Sequence, residues 1–436
     1  MGESAPIADG GRRPATDGGE SSDTEREASV DADGGVDTTT ENERERMGDS
    51  QRGRETVGGR PAGRGDQPAT KPGDAPSTKR GDVPSTRPPW RRQVASRWSW
   101  RRKVGTTEAW NVSEAAFPRD GTMAEKARHL LRYAVLAPSS HNSQPWLFLV
   151  DGDEIRLFAD HDRWLTVADP NKREMYLSLG AALENLLLAA EHFGLGHLVE
   201  YLPGSDSRHA ATVVLQDNEN NERSRHRAPR LFDAILRRRT NRGRYQERPI
   251  PRRSLRAFRD VCVEDGLAVQ FVTRAPTKQS VAELVGRADR RQFADRAYRR
   301  ELGRWIGRGA FGDSWPEAKI GRLLMTYLNV GPRQARKDAE LVRNTPVLAA
   351  LRTKRNGLRE QLQAGQAFER VSLLATLLGV QTHPTSAPLE VPSLRRELQT
   401  QLDGPDWTVQ HLFRLGYARS VATPSPRRSV ESVLLD

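Results

Sequence analysis

Two stretches of this chain match one another, and the match restricts the possible folds more than any other feature. Residues 180–194 align without gaps on residues 365–379. The six identities are Gly180/Gly365, Ala182/Ala367, Glu184/Glu369, Leu188/Leu373, Ala190/Ala375 and Gly194/Gly379. Arg173 to Phe193 reads as a helix that is apolar on most faces, and such a helix belongs in the centre of a fold. Gly194 suits its C-cap. Leu362 to Leu378 is a second helix with an apolar stripe. Each is preceded by a helix and then a strand: Met123–Ala137 with Trp146–Val150, and Arg252–Val263 with Ala268–Thr273. Chance likeness between two Ala/Leu-rich helices is the competing account, and the matched elements around them count against it. The simpler reading is a duplicated α+β unit whose two copies pack as a dimer would.

Between the first of those helices and its strand lies a polar loop, Ala137-Pro138-Ser139-Ser140-His141-Asn142-Ser143-Gln144-Pro145-Trp146. Pro138 ends the helix. Loops held by a rigid scaffold are a usual place for binding groups. The hydroxyls, amides and imidazole here suit a flat ligand with a polar rim. For His141, bonding within its own loop outweighs a catalytic role. Trp146 fits the core better than it fits a stacking ring.

The remaining elements follow the same logic. Asp151-Gly152 predicts a hairpin into Ile155–Ala159. Asp169-Pro170-Asn171 predicts a turn and helix start. His197–Leu202, Ala211–Gln216, Pro346–Leu351 and His411–Tyr417 read as strands, and Leu231–Arg239 as a helix. From Thr277 to about Leu341 the chain is helical and Arg-rich, broken at Gly307, Gly309, Gly312 and Gly331. The expected organisation is a tail over residues 1–105, a first half over 106–222 and a second half over 223–436.

The tail is rich in Gly, Asp, Glu, Thr, Ser, Pro and Arg, and poor in aliphatic residues until Trp90. It cannot bury enough apolar surface to offset an ordering entropy of roughly 1–2 kcal/mol per residue, so disorder is expected. It ends in an Arg/Trp patch, Trp90-Arg91-Arg92 through Lys103. That patch reads first as a solvated linker, and second as a contact for nucleic acid or a membrane surface. The net charge of +12 favours anionic partners without choosing among them. No run of about eighteen apolar residues exists to cross a membrane, and the first thirty residues lack the apolar core of a signal peptide. A single cysteine, Cys262, excludes an internal disulfide and argues against a Cys-based metal site. The histidines show no ligand spacing, so no metal is expected. These features fit a cytoplasmic protein best.

A second polar focus is Arg237-Arg238-Arg239-Thr240-Asn241-Arg242-Gly243-Arg244-Tyr245. Arg238, Thr240 and Arg242 at alternate positions make a phosphate cradle, because guanidinium forks pair with phosphate oxygens. In an Arg-rich chain such a run is also a common solvated face.

The two foci together resemble the flavin-dependent nitroreductase family. The resemblance rests on Pro138-Ser139-Ser140-x-Asn142-x-Gln144-Pro145-Trp146, Gln366-Ala367 through Gly379, Leu389-Glu390-Val391-Pro392 and Leu415-Gly416-Tyr417. Leu131 to Asn142 and Asp169 to Glu174 are similar to its Acg-like subfamily. The match runs from about residue 110 to the C-terminus. It implies an α+β, nitroreductase-like fold in two tandem copies forming an intrachain pseudo-dimer. Each copy would be a mixed or antiparallel sheet around a buried central helix.

It also implies FMN, held in this family between two subunits. Here the first half keeps the Asn-x-Gln loop and the second keeps Arg-x-Thr-x-Arg. One complete FMN site per chain is therefore expected, and a monomer suffices to make it. The implied contacts are Arg238, Thr240, Arg242, Arg427 and Arg428 on the phosphate, Asn142 and Gln144 on the flavin rim, and Ser139, Ser140 and His141 on ribityl or rim atoms. The implied activity takes electrons from NAD(P)H through FMN to a small acceptor, a nitro compound or quinone, with no catalytic side chain beyond the flavin. The alternatives are an FMN-sequestering protein and a binding role for the basic tail. In the first, the 277–341 segment would be a lid, with Arg304-Trp305-Ile306 and Phe311-Gly312 over the flavin.

Overall fold

Strand pairing divides the chain into two sheets. A computed structural model describes residues 105–435, apart from 205, 207, 219–223, 313–314, 329 and 403–405. The tail expected to be disordered lies outside the described residues, except for Gly105. The strands are β1 (Trp146–Asp151), β2 (Glu154–Ala159), β3 (Leu195–Tyr201), β4 (His209–Asp217), β5 (Leu267–Val272), β6 (Val347–Thr353), β7 (Gln381–Pro384), β8 (Thr408–Gly416) and β9 (Leu434–Leu435). The first sheet runs β3-β4-β2-β1-β9 and the second β5-β6-β8-β7. The expected hairpin joins β1 to β2, with Trp146 opposite Ala159, Asp151 opposite Glu154 and Gly152 at φ 61°. The second sheet is antiparallel throughout. The first becomes mixed only because β9 lies parallel to β1, Leu434 beside Phe148.

The longer helices are α1 (Met123–Ala134), α2 (Arg173–His192), α3 (Arg230–Ile235), α4 (Arg252–Asp260), α5 (Ala275–Ala294), α6 (Arg296–Gly307), α7 (Trp315–Tyr327), α8 (Gly331–Arg343), α9 (Leu358–Leu377) and α10 (Pro392–Gln401). α1 starts on a capping box, with Thr122 and Glu125 each satisfying the other's backbone N–H. α2 is buried along nearly its whole length, as its all-round apolar surface requires.

α2 and α9 pack directly on each other, through the aligned residues. A Cβ on Gly180 would lie 1.9 Å from the Leu362 carbonyl oxygen, and one on Gly365 2.0 Å from that of Leu177. The contacts are reciprocal, because Leu177 and Leu362 also occupy equivalent positions. The aligned glutamates are both fully buried. Glu184 pairs with Arg227 at 2.7 Å and with Arg370 at 2.8 Å, while Glu369 lies 3.4 Å from Arg238. A buried carboxylate persists only when paired, which explains why two apolar helices each keep one.

One core contains Leu130, Trp146, Phe148, Leu183 and Leu186 together with Leu231, Phe232, Ile235, Leu362 and Val433. A second contains Phe258, Val269, Ala349, Ala367, Val371 and Phe413. Segments on the far side of the expected 222/223 boundary thus pack into the first core. α3 is shorter than the Leu231–Arg239 expected. Beyond it Arg238 turns inward to Glu369, and Thr240 makes an isolated bridge to Thr382. β7 and α10 had no strong periodicity and were not expected.

α5 to α8 form the expected helical, glycine-broken segment. α6 ends at Gly307, α8 begins at Gly331, and Gly309 and Gly312 adopt φ of 79° and 89°.

Candidate functional site

The loop between α1 and β1 is held in an unusual conformation. His141, Asn142 and Gln144 all have positive φ, at 50°, 51° and 51°. Non-glycine residues adopt that region at a cost, and such strain concentrates at functional sites. The surroundings fix it. Ser139 Oγ accepts from the Gln144 backbone N–H at 2.9 Å, and Ser140 Oγ donates to Glu174 Oε2 at 2.8 Å.

This loop forms one wall of a cleft that encloses about 1150 Å³ of atom-free space, part of it open solvent. Ser139, Ser140 and His141 line it from the first half. Thr240, Arg242, His383, Ser386, His411 and Arg414 line it from the second. Asp289, Tyr298, Phe311 and Asp338 reach it from the helical segment α5–α8. Five of the ten residues expected at the site therefore meet at one cleft: Ser139, Ser140, His141, Thr240 and Arg242.

The other five sit behind the loop and bond protein groups. Asn142 Nδ2 donates to the carbonyls of Ala310 and Pro426, both at 2.9 Å, and its Oδ1 accepts from Arg427 at 3.0 Å. Gln144 Oε1 accepts from the Arg428 backbone N–H at 2.7 Å. Arg427 also donates to Leu136 O and stacks on Trp110, 4.9 Å from the ring centroid. Arg428 reaches Asp160 at 3.1 Å, and Arg238 faces Glu369. Together these side chains fasten the C-terminal segment and the Ala310–Phe311 tip of the helical segment to the loop.

Arg414 is almost completely buried and has no carboxylate at ion-pair distance among the described residues. It donates to His383 Nδ1 at 2.8 Å and to Gly243 O at 3.2 Å. Burial lowers the Arg414 pKa. Burial, then the Arg414 charge, pushes His383 well below the usual imidazole range, so His383 is a neutral acceptor. Burial holds His141 and His411 at about 4. His141 lies edge-on to Tyr298 and Phe311, at 6.4 Å from each, and Arg242 sits 4.9 Å from the Phe311 ring.

Among the carboxyls that line the cleft, Asp289, Asp338 and Glu390 are raised, while Arg173 and His411 outweigh burial and hold Glu174 below the usual carboxylate range. Asp289 hydrogen-bonds Asp338, and burial followed by the Asp338 charge raises Asp289 to about 8. Burial, then Glu174, raises Glu390 to about 8, and Gln292 donates to it at 2.5 Å. Two carboxyls in contact share a proton rather than ionise together.

Sequence reasoning missed Arg414, His383 and the Asp289/Asp338 pair. Arg414 carried a signal, as a cation inside the apolar strand Leu412-Phe413-Arg414-Leu415. The acid pair carried none, because α5 and α8 meet only in the fold. Of the proposed lid residues, Phe311 lines the cleft. Trp305 is buried in a cluster with Leu165, Phe293 and Tyr298, and Arg304 faces a separate surface groove. No group of three or more His, Cys, Asp or Glu residues among the described residues is arranged to hold a metal.

No family model matches the chain. It is similar to the Mycobacterium tuberculosis H37Rv protein named "Putative NAD(P)H nitroreductase Rv3131", with 30% identity over 321 residues, covering 71% of this chain and 91% of that protein. It is similar to "Putative NAD(P)H nitroreductase acg" from the same organism, with 28% identity over 316 residues, covering 70% and 93%. A solved nitroreductase with bound FMN from Bacteroides fragilis matches at 16% identity and a TM-score of 0.29, covering 44% of this chain and 90% of that one.

Proposed function

The chain belongs to the NAD(P)H nitroreductase family, and from that premise we propose that it is an FMN-dependent oxidoreductase passing electrons from NAD(P)H to a nitro compound or quinone. The observation that carries this reading is the composition of the cleft. A strained polar loop from the first half faces Thr240, Arg242 and Arg414 from the second, and the buried Arg414 has no carboxylate at ion-pair distance among the described residues.

The residues present fit such a cofactor. A desolvated guanidinium without an anionic partner is costly, and a phosphate would satisfy it in charge-assisted hydrogen bonds. Arg242, Arg414 and Thr240 would hold the phosphate. Ser139, Ser140 and His141 would contact the rest of the flavin. Asn142, Gln144, Arg238, Arg427 and Arg428 act on the cofactor by holding the loop and the C-terminal segment in place. Bound FMN supplies the electron-carrying chemistry, while the chain supplies position, charge and exclusion of water. Tyr298 and Phe311 exclude water. The Asp289/Asp338 pair keeps a proton at the cleft near neutral pH, where reduction of a nitro group or quinone consumes protons.

The same lining supports a second reading. Phe311 packs beside both His141 and Arg242, and Asn142 bonds the Ala310 carbonyl, so the helical segment would sequester flavin from large acceptors. Steady-state NADPH oxidation with added nitroaromatic and quinone acceptors separates the two. Acceptor-dependent turnover supports the oxidoreductase. A flavin-loaded chain without turnover supports sequestration.

A further inference from the structure

α7 exposes the wrong face for a helix that has finished packing. Five of the nine large apolar side chains left exposed among the described residues are Ile320, Leu323, Leu324, Tyr327 and Leu328. Their spacing, i, i+3, i+4, i+7 and i+8, is the stripe by which an amphipathic helix normally meets a core. Here the stripe faces solvent, with Tyr327 at 77% exposure. The core-facing side is already satisfied. Ala318 is buried, Met325 packs against the Trp305 cluster, and α6 approaches closely at Gly303 and Gly307, beside Thr326 and Arg322. The exposed stripe is thus a second apolar face, about 12 Å long at the rise of a helix.

Beside the stripe runs a groove between α6 and α7. Its charged lining is Arg300, Arg304, Lys319 and Arg322, and no carboxylate among the described residues lines it. A solvent-facing apolar stripe bordered by cations has the chemistry of a helix that lies in the interface of an anionic bilayer. A second copy is a poor occupant, because two-fold pairing would bring the same four cations together. Nucleic acid would meet the cations and leave the stripe in water.

We propose that α7, with Leu328 just past its end, is a docking surface for anionic lipid, with Ile320, Leu323, Leu324, Tyr327 and Leu328 entering the interface and Arg300, Arg304, Lys319 and Arg322 meeting the headgroups. This surface lies on the outer side of the segment whose Tyr298 and Phe311 line the cleft.

The test is co-flotation of the full chain with vesicles of equal parts phosphatidylglycerol and phosphatidylcholine, against vesicles of phosphatidylcholine alone. The full chain floats with the anionic vesicles, fails to float with the neutral ones, and is released as salt rises. Leu323→Asp with Tyr327→Asp lowers the bound fraction at least tenfold, and so does Lys319→Glu with Arg304→Glu. Leu198→Asp, at an exposed apolar residue on β3, leaves binding unchanged. Thermal unfolding of each variant matches the parent chain, since every substituted side chain is at the surface. Three results overturn the proposal. One is equal binding to both vesicle types. Another is binding lost on charge reversal of Arg91, Arg92, Arg101, Arg102 and Lys103 but kept in the α7 variants. The third is no vesicle binding together with a concentration-dependent dimer that Leu324→Asp disperses.

Discussion

Gly180 and Gly365 occupy reciprocal positions in the contact between α2 and α9, each pressed against a backbone carbonyl three residues before the other. Alanine is the better helix former by roughly 1 kcal/mol. At these sites its methyl group has no room, because the obstructing atom is backbone. Gly180→Ala and Gly365→Ala are each expected to destabilise the chain by about 1–3 kcal/mol, the usual cost of overpacking. Urea unfolding measures this. A stabilising effect at either position would mean that the helices do not meet this way.

The buried network gives a prediction with a defined pH sign. Burial alone would raise Glu184, but Arg227 and Arg370 outweigh it and hold the carboxyl at about 2. A depressed acid contributes stability that is present above its unfolded value of 4.5. That stability is lost as pH falls towards 2. Glu184→Gln is expected to cost about 3–5 kcal/mol near neutral pH, because it leaves Arg227 and Arg370 under-compensated. The deficit should shrink as the parent chain is acidified through that window, as denaturant titrations at a series of pH values would record.

Asn142 is expected to act as a clasp. Asn142→Ala removes its bonds to Ala310 O, Pro426 O and Arg427, leaving buried groups unsatisfied at about 1–3 kcal/mol each. Hydrogen exchange should quicken in residues 308–312 and 424–435, while α1 stays protected. Uniform loss of protection would indicate a general core role instead.

Asp289 shifts in the opposite direction from Glu184. Its pKa is raised from 3.8 to about 8, so its contribution to stability is present below 3.8 and is lost as pH rises through 8. Asp289→Asn should therefore flatten the fall in Tm between about pH 4 and pH 8. In rapid-mixing experiments it should slow electron transfer to a proton-consuming acceptor while leaving reduction by NADPH unchanged. Equal slowing of both steps would remove the pair from the acceptor half of the reaction.

Arg414→Ala is expected to weaken flavin binding by about ten- to a hundredfold, the worth of one charge-assisted hydrogen bond at roughly 1.5–3 kcal/mol. Arg244→Ala, at an exposed arginine of the 237–245 run, should leave it unchanged. Equilibrium titration with FMN distinguishes them.

The contrast between Arg414 and Thr240 shows what the sequence could carry. Thr240 and Arg242 were legible as cleft residues because the pattern that singled them out is local, with its residues two apart in the chain. The central helices were legible because burial on every face leaves a compositional mark, whereas the contact of Gly180 and Gly365 shows only in the fold. Arg414, His383 and the Asp289/Asp338 pair become a site only through strand pairing and helix docking over long separations. Asn142 and Gln144 were read as facing a ligand because their amides suit one. Those amides equally suit backbone groups, and only the fold shows that they bond Ala310, Pro426 and Arg428. The C-terminal β9 was too short for any periodicity to register.

The most direct test of the account is the visible spectrum of the purified chain after loading with FMN and desalting, before and after anaerobic NADPH. The account predicts flavin bands at one FMN per chain that bleach when NADPH is added. A chain that retains no flavin would contradict it, and with it the roles of Ser139, Ser140, His141, Thr240, Arg242 and Arg414.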